Sequence, residues 1–179
     1  MTTLILYRHA KSSWASLDQQ DHERPLNARG QAAAPVMGQW LAKQGLKPDL
    51  VISSDAVRTR ETLALTLPAF EAPLPDIVVD EHLYLASPEL ILERIKVHAG
   101  RAPLVMVVGH NPGLHVLSLS LDRGPSADVS AEMTAVRRRL AHKFPTAAVA
   151  VFDLGDLSFG DDLVGRCALA AFMTPKQLQ

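Results

Sequence analysis

Two histidines and two arginines of this sequence stand at or just beyond the ends of apolar runs, a position typical of chemically active side chains. Arg8 and His9 directly follow the first apolar run. Arg58 lies just beyond the second run, and His110 follows a later one. Arginine is always charged and binds phosphate through two parallel hydrogen bonds, and a neutral imidazole is a nucleophile toward phosphorus. These residue types favour phosphoryl transfer, which depends on charge stabilisation and in-line positioning.

An alternation of strands and helices is expected to position these side chains. The expected strands are 4–7, 49–54, 77–79, 104–108, 147–154 and 163–172. The expected helices are 28–43, 57–67, 88–98, 114–121 and 131–142, with Asn27, Ser87 and Ser130 as N-caps. This order predicts an α/β fold: one domain over residues 1–179, built as a three-layer α/β/α sandwich with a mostly parallel central sheet. The last two strands are expected to form a hairpin.

The carboxyl ends of parallel strands meet at one rim of a sheet, which is where ligands of open α/β sheets bind. We therefore expect His9, His110 and the two guanidiniums to face a common point. Taken alone, Arg8 and His9 have a second interpretation, a surface arginine beside a histidine whose hydrogen bonds are satisfied at a strand end. The convergence of three such ends favours a site.

The composition argues against several other classes of protein. A formal net charge of −1 gives no general attraction to nucleic acid or membranes. No apolar run approaches the roughly 20 residues that span a bilayer, and the N-terminus lacks the pattern of a signal peptide. Cys167 is the single cysteine and stands among apolar residues, so we expect a buried thiol in a reducing compartment. A soluble, cytoplasmic protein is the simplest interpretation.

Two further sequence patterns are weaker indications of function. The seven histidines show no metal-ligand spacing, so a bound metal is not expected. The basic run Arg137–Arg139, with His142 and Lys143, falls on a predicted helix, where consecutive residues point in different directions. We interpret it as a solvated helix face, with docking of an acidic partner protein as the alternative. A nucleic-acid role would need more aromatic residues than the 5% present.

Three segments, in this order, resemble the motifs of the histidine phosphatase superfamily. They are Arg8-His9 after a strand, the run Ser-Asp-Ala-Val-Arg-Thr-Arg-Glu-Thr at 54–62, and Gly109-His110 after a later strand. The opening Arg-His-Ala-Lys-Ser-Ser-Trp at 8–14 and Arg-Pro-Leu-Asn at 24–27 are most similar to the SixA-type phosphohistidine phosphatases. The resemblance implies a phosphoglycerate mutase-like fold and a phosphatase without metal or organic cofactor.

The resemblance also implies a role for each matching residue. His9 would be the nucleophile and would carry the phosphoryl group as phosphohistidine, which water then cleaves. Arg8 and Arg58 would hold the phosphoryl oxygens. His110 would be a charged donor to the same group, whereas His9 must be neutral to attack. The surrounding positive charges are expected to lower the pKa of His9.

Two further residues are predicted to bind substrate, Arg24 and Ser12. Arg24 ends the polar loop that follows the first strand, and Ser12 lies near the start of that loop. The alternative for Arg24 is a surface ion pair with Asp21 or Glu23.

One departure from the superfamily concerns the acid that protonates an alkoxide leaving group. Larger branches place a carboxylate soon after the third strand. Here the matching place falls nearest Leu85, and the nearby carboxylates are Asp80 and Glu81. Imidazole leaves without such help more easily than an alkoxide, because its conjugate acid has a pKa of about 6.5. The substrate expected is therefore a histidine-phosphorylated protein, such as a phosphotransfer domain, admitted by a rim with no segment long enough to cap it.

Two rival functions remain open at this stage. A small-molecule phosphomonoesterase or mutase of the same superfamily would keep the four residues His9, Arg8, Arg58 and His110 and use Glu81 as its acid. A catalytically silent phosphate-binding module would use the arginines to hold a phosphorylated partner, although binding alone would not need His9.

Overall fold

A six-stranded sheet forms the centre of the molecule in a computed structural model that describes residues 2–14, 18–125 and 129–178. The strands are β1 (Thr3–Arg8), β2 (Leu50–Ser53), β3 (Asp76–Val79), β4 (Leu104–Gly109), β5 (Val149–Asp153) and β6 (Ala168–Met173). Their order across the sheet is β3-β2-β4-β1-β5-β6. Neighbours from β3 to β1 are parallel, whereas β5 is antiparallel to both β1 and β6. The mostly parallel sheet and the final hairpin are thus confirmed.

Five helices cover the sheet: α1 (Ala28–Lys43), α2 (Val57–Thr66), α3 (Pro88–His98), α4 (Gly113–Leu121) and α5 (Ala131–His142). The predicted caps are present, since the side chains of Asn27, Ser87 and Ser130 each accept a backbone N–H three residues later. These caps start three helices at the predicted residues, and α4 begins one residue earlier than expected.

The alternation of side chains along each strand separates the helices into two layers. Leu4 and Leu6 of β1 pack in one apolar cluster with residues of α3, α4 and α5. Ile5 and Tyr7 point the other way and pack in a second cluster with residues of α1 and α2. All four strand residues are fully buried. This is the predicted three-layer α/β/α sandwich.

The sheet order brings the carboxyl ends of β1, β2 and β4 to one rim. Because β5 runs antiparallel, the residues before it reach the same rim, where the Ala147 backbone N–H donates to the His9 carbonyl at 3.0 Å. This backbone hydrogen bond therefore holds the segment before β5 against His9.

Two expectations about the rest of the chain can be compared with the structure. Cys167 is buried, and burial raises the pKa of its thiol to about 11, as expected for a small apolar side chain. Among the described residues, no helix is both long and apolar enough to cross a membrane.

Candidate active site

The two predicted histidines meet at the rim. His9 follows β1 and His110 follows β4, which are paired neighbours, and the His9 N–H donates to the Gly109 carbonyl at 3.0 Å. Their ring centroids lie 5.2 Å apart, and both residues are buried. The pairing of β1 with β4 therefore places His9 and His110 side by side at the centre of the site.

One hydrogen bond determines which nitrogen of His9 is available. Nδ1 lies 2.7 Å from the carbonyl oxygen of Ala10. A carbonyl only accepts, so Nδ1 carries the proton and Nε2 keeps its lone pair. The pKa of His9 is lowered to about 3, first by burial and then by the charges of Arg58, Arg8 and Arg24. The low pKa was expected, but burial outweighs the charges as its cause.

His110 lies between a serine and an arginine. Its Nε2 is 2.9 Å from Ser54 Oγ, and its Nδ1 is 3.3 Å from Nη2 of Arg58. A guanidinium only donates, so Nδ1 accepts and the proton resides on Nε2. Burial, followed by the neighbouring His9 and Arg58, lowers the pKa of His110 far below its usual value. His110 is therefore neutral in this arrangement, and its role as a charged donor to the phosphoryl group stays a prediction.

Arg8 is held by one hydrogen bond and keeps another donor without a partner among the described residues. Its Nη1 donates to the Phe144 carbonyl at 2.8 Å, which holds the guanidinium against the rim. Its buried Nε has no hydrogen-bond partner within the described part of the chain. A buried donor without an acceptor is costly, and a phosphoryl oxygen is an acceptor of the right charge.

Arg24 and Ser12, the two predicted substrate-binding residues, are brought together. Both are buried, and Arg24 Nη2 donates to Ser12 Oγ at 2.8 Å. Arg24 also pairs with Asp21 through Nη1 at 2.6 Å, and its guanidinium lies over the exposed ring of Trp14. The ion pair considered as the alternative is present, but Arg24 itself is not a surface residue.

The predicted acid Glu81 is not part of this cluster. It is exposed, in a 3-10 turn after β3, and no hydrogen bond or ion pair among the described residues joins it to Arg8, His9, Arg58 or His110. Asp80 is buried and accepts from Arg94 Nε at 2.5 Å and from His98 Nε2 at 2.8 Å. Among the described residues, neither carboxylate of this turn forms a hydrogen bond or ion pair with His9 or His110.

Sequence reasoning missed two residues of the site, Asp21 and Tyr84. The Tyr84 hydroxyl donates to Asp21 Oδ2 at 2.6 Å, and Arg58 Nη2 donates to the same oxygen at 3.0 Å. The Tyr84 ring packs edge-on against His110, with centroids 5.4 Å apart. Their sequence signals are weak: an aspartate in a polar loop, and an aromatic residue in an acidic turn.

Comparison with known proteins shows the family and the fold of this chain. The sequence model of the histidine phosphatase superfamily (branch 1) matches residues 4–83. The crystal structure of a candidate phosphohistidine phosphatase SixA from Agrobacterium tumefaciens is 31% identical, covers 97% of this chain and 98% of its own, and superposes with a TM-score of 0.76. The chain belongs to the histidine phosphatase superfamily.

Two further proteins are similar to this chain over nearly its whole length. A SixA homologue from Nakamurella multipartita, also described as a candidate phosphohistidine phosphatase, is 28% identical with a TM-score of 0.79 and covers 97% of this chain and 96% of its own. An uncharacterised protein of Mycobacterium tuberculosis is 35% identical over 94% of this chain and 99% of its own length. As a SixA-like member of the histidine phosphatase superfamily, the chain is a phosphatase.

The superfamily motif at 54–62 has a structural as well as a chemical role here. Thr62 Oγ1 donates to the Arg58 carbonyl at 2.6 Å and accepts from the Ala10 N–H at 2.9 Å. Glu61 Oε2 accepts from the Leu26 N–H at 2.6 Å. One turn of α2 therefore holds the backbone after His9 and the loop that carries Arg24.

The site offers anion-binding groups, and a metal-binding cluster is not found. Across residues 2–14, 18–125 and 129–178, no group of three or more histidine, cysteine, aspartate or glutamate side chains is arranged to hold a metal ion.

Proposed function

We propose that this histidine phosphatase removes the phosphoryl group from a phosphohistidine on a partner protein, in the cytoplasm and without a metal or cofactor. The observation that carries the proposal is the set of hydrogen bonds that Asp21, the carboxylate of the cluster, accepts from Tyr84, Arg24 and Arg58. A hydrogen bond from Tyr84, with further ones from Arg24 and Arg58, holds the pKa of Asp21 well below its usual value. An ionised carboxylate has no proton to give to an alkoxide leaving group.

In the first step, Nε2 of His9 attacks the phosphorus of the bound phosphohistidine. A bond forms between His9 Nε2 and phosphorus, the substrate P–N bond breaks, and its electron pair goes to the departing imidazole. If the other nitrogen of that imidazole carries a proton, the ring leaves neutral and needs no acid. Arg8 and Arg58 stabilise the charge on the phosphoryl oxygens.

In the second step, water attacks the phosphorus held on His9. A P–O bond forms, the P–Nε2 bond breaks with its electron pair returning to His9, and the water protons remain on phosphate or pass to solvent. The negative charge of the bound phosphoryl group raises the pKa of His110. Protonated His110 then donates to a phosphoryl oxygen in both steps.

The leaving group distinguishes the proposed substrate from a sugar phosphate. The conjugate acid of imidazole has a pKa of about 6.5, so it is a far better leaving group than an alkoxide without a proton donor. Residues 80–87, which connect β3 to α3, contain only the short 3-10 turn Glu81–Leu83 and no capping subdomain. A short connection of this kind is compatible with a histidine that protrudes from another protein as the substrate.

The test compares two substrates at the same enzyme concentration. Phosphate release is measured from a histidine-phosphorylated phosphotransfer domain and from p-nitrophenyl phosphate, with His9→Ala as the control. We expect rapid loss from the phosphoprotein, slow cleavage of the ester, and neither reaction with His9→Ala. Efficient ester cleavage with an intact phosphoprotein would instead identify a small-molecule phosphomonoesterase or mutase. Phosphoprotein binding without turnover would identify a phosphate-binding module.

A further inference from the structure

A basic groove opens beside the proposed active site. Its volume is about 870 Å³, and its basic lining residues are Lys11, Arg29, Arg139, His142, Lys143 and Lys176. We propose that this groove docks an acidic surface segment of the phosphorylated partner protein while the phosphohistidine reaches His9. This inference rests on the proposed function and assigns the part of the enzyme that recognises its partner.

The groove is connected to the active site through the backbone. Lys11 stands two residues after His9, and Ala147, which lines the groove, donates its N–H to the His9 carbonyl at 3.0 Å. The Phe144 carbonyl, just before the groove-lining Pro145, accepts from Arg8. A segment bound in the groove therefore lies against the same backbone that positions the nucleophile.

The charges of the groove are uncompensated. No aspartate or glutamate lines it, and its lysines and arginines form no ion pair with a carboxylate of residues 2–14, 18–125 or 129–178. Arginines elsewhere are paired, as Arg94 is with Asp80 and Arg137 is with Asp122. Because the whole chain has a net charge of −1, this concentration of positive charge is local, and its complement is an acidic surface.

The shape of the groove favours a protein segment over other anions. Its lining also includes the apolar Ala32, Ala33, Pro145 and Pro175, and a mixture of apolar and polar surface is typical of protein interfaces. Its aromatic lining residue, Phe172, is buried and offers no platform for stacking bases. A flat lipid surface would not reach the floor of a concave groove.

Only one of the three consecutive arginines of α5 lines the groove. Of its three consecutive arginines, Arg137 pairs with Asp122 at 2.7 Å, Arg138 is exposed outside the groove, and Arg139 lines the groove. The interpretation of this run as a solvated face is therefore incomplete. Arg138 supplies a matched control for Arg139 on the same helix.

The test uses two triple variants with equal changes of charge. The groove variant is Arg139→Glu/Lys143→Glu/Lys176→Glu. The control variant is Arg138→Glu/Lys96→Glu/Arg101→Glu, whose sites are exposed outside the groove. For the groove variant we expect kcat/KM on a histidine-phosphorylated phosphotransfer domain to fall about 30-fold, while p-nitrophenyl phosphate hydrolysis matches wild type.

The control variant should retain both activities within about twofold. Raising the salt concentration should slow the wild-type reaction with the phosphoprotein but not that of the groove variant, whose reversed charges repel an acidic partner until salt screens them. Equal rates on the phosphoprotein for the two variants would overturn the docking proposal and leave the proposed function intact.

Two other outcomes separate the remaining possibilities. If the wild-type enzyme cleaves p-nitrophenyl phosphate but no histidine-phosphorylated domain, the proposed function fails and the docking proposal falls with it. If the groove variant loses sedimentation with phosphatidylserine vesicles but keeps its rate on the phosphoprotein, the groove binds membranes and the docking proposal is wrong.

Discussion

Asp21 and Arg58 form an ion pair within the proposed active site, with Asp21 Oδ2 3.0 Å from Arg58 Nη2. The Asp21 carbonyl also accepts from Arg58 Nη1 at 2.5 Å. Arg58 is buried, whereas the Asp21 side chain is 42% exposed. A phosphoryl dianion that binds Arg58 must therefore share this guanidinium with the Asp21 carboxylate, and the anion and the carboxylate repel each other.

Replacing this carboxylate is predicted to strengthen anion binding. In Asp21→Asn the side chain keeps its size but loses its charge, so repulsion of the incoming anion is removed. We expect the inhibition constant of orthovanadate, measured in p-nitrophenyl phosphate hydrolysis, to fall about tenfold, or ~1.4 kcal/mol.

Asp18→Asn is the matched control, since it removes the same charge from an exposed position of the same loop. It should leave the inhibition constant unchanged. Weaker inhibition in Asp21→Asn would mean that Asp21 serves mainly to hold Arg58 in place, contrary to this prediction.

The low pKa of His9 predicts that acid destabilises the fold. The unfolded state takes up a proton near pH 6.5 and the folded state only near pH 3, so the unfolded state binds more protons between these values. Stability therefore falls as the pH falls through this window. For His9 alone the loss between pH 8 and pH 5 is about 2 kcal/mol.

His9→Gln removes this titration, so its loss of stability between pH 8 and pH 5 should be smaller than that of wild type by about 2 kcal/mol. Urea unfolding at both pH values measures the difference. The exposed His142→Gln serves as the control. A wild-type-like pH dependence in His9→Gln would show that His9 titrates alike in the folded and unfolded states.

Much of the fold was predictable because the local signals agree with the tertiary structure. Asn27, Ser87 and Ser130 cap helices at the predicted places, and β1 and β4 are buried strands whose ends were apparent in the sequence. Where apolar residues occur in turns, the prediction was wrong. Residues 163–167 were expected to be part of the last strand, but Gly165 has a φ of +67° and β6 begins at Ala168.

The site was predictable only where strand pairing determines it. His9 and His110 meet because β1 pairs with β4, which their positions after apolar runs anticipated. Asp21 and Tyr84 reach the site from a loop and a turn, and neither has a periodic pattern. The neutral state of His110 depends on burial and on its neighbours, which a sequence does not specify.

We predict different effects for substitutions of the two adjacent carboxylates in the turn after β3. Glu81→Gln should leave kcat/KM on the phosphoprotein within about twofold, because Glu81 is exposed and, within the described part of the chain, forms no hydrogen bond or ion pair with the proposed catalytic residues. Asp80→Asn should lower the free energy of unfolding by about 3 kcal/mol, because it leaves the charge of Arg94 unpaired in a largely buried pair.

Phosphate release and urea unfolding on both variants measure these effects. The pKa of Asp80 supports the contrast: burial raises it, but hydrogen bonds from Arg94 and His98 outweigh burial and lower it overall. A collapse of activity in a fully folded Glu81→Gln variant would identify Glu81 as an acid and contradict the proposed choice of substrate.

A close contact between α1 and the loop after His9 gives the last prediction. A Cβ at Gly30 would lie 2.2 Å from the Lys11 carbonyl oxygen and 2.9 Å from the Lys11 nitrogen. Both are backbone atoms, so the alanine cannot be accommodated by a side-chain rotation. Gly30→Ala should lower the melting temperature by several degrees, consistent with a loss of about 1–3 kcal/mol from overpacking. It should also lower kcat on p-nitrophenyl phosphate, because the displaced backbone adjoins His9.

Gly160→Ala is the matched control, since its Cβ would meet only Ser158 Oγ, at 3.6 Å. It should change neither the melting temperature nor kcat. An equal effect of the two substitutions would mean that replacing a glycine by alanine is destabilising regardless of this contact. If Gly30→Ala lowers stability but leaves kcat unchanged, the loop after His9 keeps its position while the helix moves away. The two measurements together therefore determine whether α1 or the loop yields at this contact.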